Sequence, residues 1–134
     1  MHQLYRDGVV TLVNGTDVWY GSYVSYAMQN GIISKTHSNY DAFINRDEFV
    51  SIFHAALPDR EFTEKNTVSD GAIPDVKMTD SYAADIYSFY RAGILNGKDA
   101  KGSFLPGDNI LRSEVTAIIT RMFEKDQRVS ITLQ

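Results

Sequence analysis

The chain repeats itself, and no other feature limits its fold as much. Gly31 and Gly93 lie 62 positions apart, and each is followed by two aliphatics, Ile32-Ile33 and Ile94-Leu95. Arg46 and Arg112 lie 66 apart, so the second loop is longer by four residues. From each arginine, apolar residues fall at offsets of +3, +6, +7, +10 and +11: Phe49, Ile52, Phe53, Ala56, Leu57, then Val115, Ile118, Ile119, Met122, Phe123. That spacing is one face of an α-helix. A helix-loop-helix unit cannot bury its apolar face alone, so the two units must stack. The expected class is all-α, built from repeated helix-loop-helix units, with short strands at the termini.

The boundaries follow from start and stop signals. Residues 1–16 read as the tail of a truncated preceding repeat: a helix end at His2 to Arg6, then a strand at Val9, Val10, Leu12 and Val13, closed by Asn14-Gly15. The first repeat spans 17–58. Its opening helix is expected over Asp17–Asn30, capped by Thr16 or Asp17, with Tyr20, Tyr23, Val24, Ala27 and Met28 as its stripe. Its second helix starts at Asn45-Arg46-Asp47-Glu48, with Asn45 as cap and Glu48 completing a capping box, and Pro58 ends it. Residues 59–80 form a linker, part of which is expected to form a short helix or to pack as an ordered strap, with Ile73-Pro74-Asp75-Val76 extended. The second repeat, 81–124, has helices at about Asp80–Ala92 and Arg112–Glu124. The first of these should bury Tyr82, Ile86, Phe89 and Tyr90. The tail 125–134 alternates at Val129–Leu133 as a half-buried strand does, and could pair with Val9–Val13.

Composition narrows the chemistry. Net charge is −4 with interspersed signs, which disfavours nucleic acid as a partner. There is no cysteine, hence no disulfide, thiolate metal site or cysteine nucleophile. No apolar run reaches the ~18–20 residues of a membrane span. MHQLYRDG lacks a signal-peptide core, so any export signal would lie outside this chain. His2, His37 and His54 are scattered and expected at the surface, without metal or triad spacing. Residues 96–102 have the wrong ligand spacing for a calcium loop. No catalytic residue, metal or cofactor is expected.

Arg46 and Arg112 are the sharpest candidates. A guanidinium binds a carboxylate through two parallel hydrogen bonds, and a helix start adds free N–H groups. The residues leave this open against plain ion pairs with Asp47, Glu48, Ser113 or Glu114. Glu48 and Glu114 read as caps rather than catalytic acids, and Trp19 as either a sugar platform or core.

The order of these elements resembles the S-layer homology domain, a bacterial cell-wall-binding repeat. The resemblance covers roughly 17–124. It rests on Trp19 twelve residues before Gly31, YRAGILNG at 90–97, GSFLP at 102–106, ILRSE at 110–114 and IPDV at 73–76. It departs at Ser81, where the family has Trp, and at Asn45 and Leu111, where it has Thr. The family usually carries three repeats, and two are found here. The resemblance implies a non-enzymatic anchor at the extracellular cell surface whose ligand is a secondary cell-wall polysaccharide, often pyruvylated. It implies ligand contacts from Arg46, Asp47, Glu48, Arg112, Ser113 and Glu114, from Trp19, and from the loop residues Asn96, Gly97 and Lys98. The Arg46 site is expected to be the better of the two, because Asn45 can cap and Leu111 cannot. The alternative is a helical protein–protein module with structural arginines. Two repeats leave an apolar face that predicts self-association.

Overall fold

A computed structural model of the chain describes residues 11–134. The described residues form four short helices: α1 (Gly21–Gln29), α2 (Arg46–Ala55), α3 (Ala83–Arg91) and α4 (Arg112–Phe123). Short 3-10 turns at Asp59–Phe62 and Lys125–Gln127 and two two-residue strands, β1 (Thr67–Val68) and β2 (Thr132–Leu133), complete the described elements.

Both helix stops are where the glycines put them. Gly31 and Gly93 have φ of 68° and 77°, the left-handed region that ends a helix. The Ile after each donates its N–H back into the preceding helix, Ile32 to Ala27 O and Ile94 to Phe89 O, both at 2.9 Å.

The starts differ from expectation. α1 begins at Gly21, not Asp17, because residues 15–21 close on themselves: Gly15 N–H bonds Trp19 O and Gly21 N–H bonds Val18 O. Neither Thr16 nor Asp17 caps it, and Tyr20 stands at the N-cap without a side-chain bond. Asn45 does hold the N-cap of α2, in extended conformation, but its side chain caps nothing. The N–H groups of Arg46 and Asp47 donate instead to Asp108 O (2.9 Å) and Pro106 O (3.2 Å). The loop at 106–108 therefore caps α2. Leu111 has no acceptor, but its N–H donates to Glu114 Oε2 at 2.9 Å, so half a capping box survives at α4.

Residues 59–80 hold the Asp59–Phe62 3-10 turn and β1. Ile73–Val76 is not extended: Val76 N–H bonds Ile73 O at 3.2 Å, with Pro74 at the second position of the turn, where its fixed φ fits. The turn aims Asp75 at the Phe-Leu-Pro loop, where its carboxylate accepts from the N–H groups of Phe104 (2.8 Å) and Leu105 (2.7 Å). That grip holds Leu105 at φ 59°.

The C-terminal strand pairs elsewhere than expected. β2 runs parallel to β1, Thr67 opposite Thr132 and Val68 opposite Leu133. Leu12 and Val13 form no strand, and Val9 and Val10 lie outside the described residues, as do His2 to Arg6. Asn66 explains the choice. Its amide donates to Tyr90 O and Val129 O and accepts from Ile131 N–H, which fastens the tail beside α3.

The core belongs mainly to the second half and to α2. Tyr87, Phe89, Tyr90, Ile94 and Phe104 are sealed from solvent, with Val50 and Phe49 from α2 and Ile118 and Met122 from α4. Tyr82 is only half-buried, and Phe123, expected inside, is 61% exposed. α1 buries no residue.

Candidate functional site

One groove gathers most of the residues singled out from the sequence. It encloses about 200 Å³ between the Leu95–Lys98 loop and the face of α4, and its lining includes Arg46, Asn96, Gly97, Lys98, Ser113, Glu114 and Arg121. α2 supplies Arg46, and all the rest comes from residues 95–121.

Arg46 forms the groove's inner wall, not its exposed lip. It is 3% exposed. Its Nε donates to Phe104 O at 2.7 Å, and its guanidinium lies 4.9 Å from the Phe104 ring centre, an attractive cation–π placement. Nη1 stands 2.5 Å from Glu114 Oε1 but makes no aligned hydrogen bond. The Arg–Glu contact is thus mainly electrostatic, and that nitrogen keeps an unmet donor. Lys98 Nζ also pairs with Glu114 Oε1. Burial works against ionisation of Glu114, but bonds from Lys98 and the Leu111 N–H, with the charge of Arg46, hold its carboxyl below the ordinary value. Burial pushes the Tyr90 hydroxyl up, and it donates to Gly102 O at 2.9 Å beneath the loop. Asp99 shapes the loop itself, accepting from the N–H groups of Ser103 and Lys101. Those bonds, Ser103's first, hold its carboxyl low.

The other sequence candidates lie elsewhere. Arg112 is exposed and lines no part of this groove. Asn45 does not cap, so the expected reason for ranking the two sites is removed; what separates the two arginines is burial. Asp47 accepts from Glu48 N–H at 2.7 Å and lines a shallow cleft with Tyr82 and Pro106. Glu48 faces Lys35 at 3.5 Å and His37 at 3.4 Å. Trp19 is 66% exposed, edge-on to Tyr20. His37 and His54 are not bare surface residues: His54 sits between Asp85 (3.3 Å) and Ser88 (3.1 Å) and stacks on Phe62, tying α2 to α3.

Sequence reasoning missed Arg121 and Arg128. Arg121 lines the groove and donates to Ile94 O at 3.2 Å. Its position one turn beyond Ala117 on the Glu114 face of α4 was the available signal. Arg128 is 7% exposed and binds the carbonyls of Arg121 and Glu61. Burial lowers its proton affinity, and Glu61 partly offsets this. Nothing in an isolated arginine near a chain end signals burial.

Among the described residues no group of three or more His, Cys, Asp or Glu could hold a metal ion. Among them, too, no helix is long and apolar enough to cross a membrane.

Residues 72–116 match the S-layer homology domain, a stretch that holds the Asp75 turn, α3, the groove loop and the start of α4. The chain is also 43% identical over 60 residues to an amylopullulanase of Thermoanaerobacterium thermosulfurigenes. That alignment covers 45% of this chain and 3% of the amylopullulanase. No solved structure matches the chain.

Proposed function

We propose that this chain is a non-catalytic anchoring module that holds a surface protein to a bacterial cell wall by binding an acidic wall polysaccharide in the Arg46–Glu114 groove. The observation that carries this reading is the groove's charge. Three cationic side chains, Arg46, Lys98 and Arg121, line the groove with a single carboxylate, Glu114, and with Asn96 and Ser113 as hydrogen-bonding groups. A surplus of fixed cations among neutral polar groups suits a sugar bearing a carboxylate, such as a pyruvate ketal. Lys98 and Arg121 are the groups placed to meet the ligand. Arg46 acts from behind them, holding Glu114 and adding positive potential. The match of residues 72–116 to the S-layer homology domain supports the cell-wall setting and a location at the cell surface.

Sedimentation with purified walls tests the reading. Lys98→Ala and Arg121→Ala should each weaken binding about tenfold while leaving the circular dichroism unchanged, and walls stripped of their secondary polymer should bind nothing. Equal binding to stripped and intact walls would overturn it.

A further inference from the structure

The seat that Arg46 occupies in the second half exists in the first half as an open groove. Around Arg46 stand Leu95, two residues after the helix-stopping Gly93; Ile118, six after Arg112; Glu114, two after Arg112; and Phe104 in the loop between. The matched positions of the first half are Ile33, Ile52 and Glu48, and Tyr40 in the shorter loop supplies an aromatic ring where the longer loop has Phe104. All four line one groove of about 250 Å³, with His37 and Phe43. Even the accessory lysine is matched, since Lys35 faces Glu48 as Lys98 faces Glu114.

The two carboxylates differ in how well they are satisfied. Glu114 Oε2 accepts the Leu111 N–H, and Oε1 meets Arg46 and Lys98. Glu48 Oε1 meets Lys35 at 3.5 Å and His37 at 3.4 Å, longer than the 2.5 Å between Arg46 and Glu114 Oε1, and Oε2 accepts from no described residue. Yet its side chain is only 23% exposed. A mostly buried carboxylate with an unused oxygen, beside an aromatic ring, is an acceptor for a guanidinium.

The matching donor is on the same chain. Arg112 opens α4 as Arg46 opens α2, but it is exposed, and no described residue bonds its guanidinium. We infer that Arg112 of one copy docks into the Glu48–Tyr40 groove of a second copy, repeating between molecules the contact that Arg46 makes with Glu114 and Phe104 inside one. Each copy then presents one donor and one socket, so the contact runs head to tail. The 88%-exposed Phe43 beside the socket and the 55%-exposed Leu111 beside the donor are covered in the same contact. Wall binding does not enter into this association, because its residues lie outside the Arg46–Glu114 groove.

Sedimentation velocity over a wide concentration range decides it. The intact chain should associate as concentration rises, and Arg112→Ala or Glu48→Ala should each weaken association at least about tenfold, as loss of one partner of a desolvated pair does. Arg112 is exposed, so its variant should fold normally, checked by circular dichroism. The reversal Glu48→Arg combined with Arg112→Glu should restore what each single reversal abolishes. A monomer at every concentration would overturn the inference. So would association that ignores Arg112 or a double reversal that fails to recover, either of which would assign the socket to some other group.

Discussion

Arg46 and Arg112 open matched helices with matched apolar stripes, and the fold treats them in opposite ways. Arg46 lies under the second repeat's loop, bonded to Phe104 O and paired with Glu114, whereas Arg112 stands in solvent. The halves around them differ in the same sense. α3 seals Ile86, Tyr87, Phe89 and Tyr90, while α1 buries nothing. A repeat unit gains its burial from the neighbour that covers it. The first unit's α2 is covered by α3 and by the Phe104–Ile110 loop. Among the described residues nothing covers α1 to a comparable degree. Equal sequence patterns therefore yield unequal environments.

The arginines themselves should give the sharpest break. Arg46→Ala leaves Glu114 with Lys98 as its one cation and Phe104 O without its donor, and should cost about 3–5 kcal/mol in urea unfolding. Arg112→Ala, measured in dilute protein, should stay within about 0.5 kcal/mol. Similar losses from both would mean that the halves are equivalent after all.

The +6 positions compare the stripes. Ile118 is 2% exposed and its counterpart Ile52 is only half-buried. Thermal melts should show Ile118→Ala near the ~2–5 kcal/mol expected of a full core deletion, and Ile52→Ala clearly less.

Next come the two helix stops. Both glycines are left-handed, so alanine costs roughly 1–2 kcal/mol at either. A Cβ on Gly93 would also sit 2.5 Å from Val129 O, and one on Gly31 meets nothing within 4 Å. Gly93→Ala should therefore be the more damaging by a margin that calorimetry resolves, and it should loosen the tail that Asn66 fastens.

The smallest expected effect is on pH. Glu114's carboxyl is held below its ordinary value of 4.5 in the folded state. Its stabilising contribution is present above that value and is lost as pH falls through the lower, folded one. Denaturation midpoints should drop on acidification below about pH 4.5. Glu114→Gln should flatten part of that drop.

The sequence by itself determined the things that depend on near neighbours in the chain. The period of the apolar residues set four helices, and the glycines set where two of them stop. The repeat singled out Arg46, Ser113 and Glu114, the family resemblance added the Asn96–Lys98 loop, and one groove is lined by them all. Helix starts were less legible, because the orphan N–H groups of α2 found carbonyls at Pro106 and Asp108, some 60 residues away, where a side chain within three residues was expected. The strand partner was missed for a related reason: alternation marks Val129–Leu133 as half-buried but carries no register, and Asn66 supplies that from across the core. Burial of Arg46 against exposure of Arg112, and of Arg128 against everything its composition suggests, was decided only by tertiary structure. A side chain's solvation depends on what packs over it, and two identical local patterns cannot encode which of them will be covered.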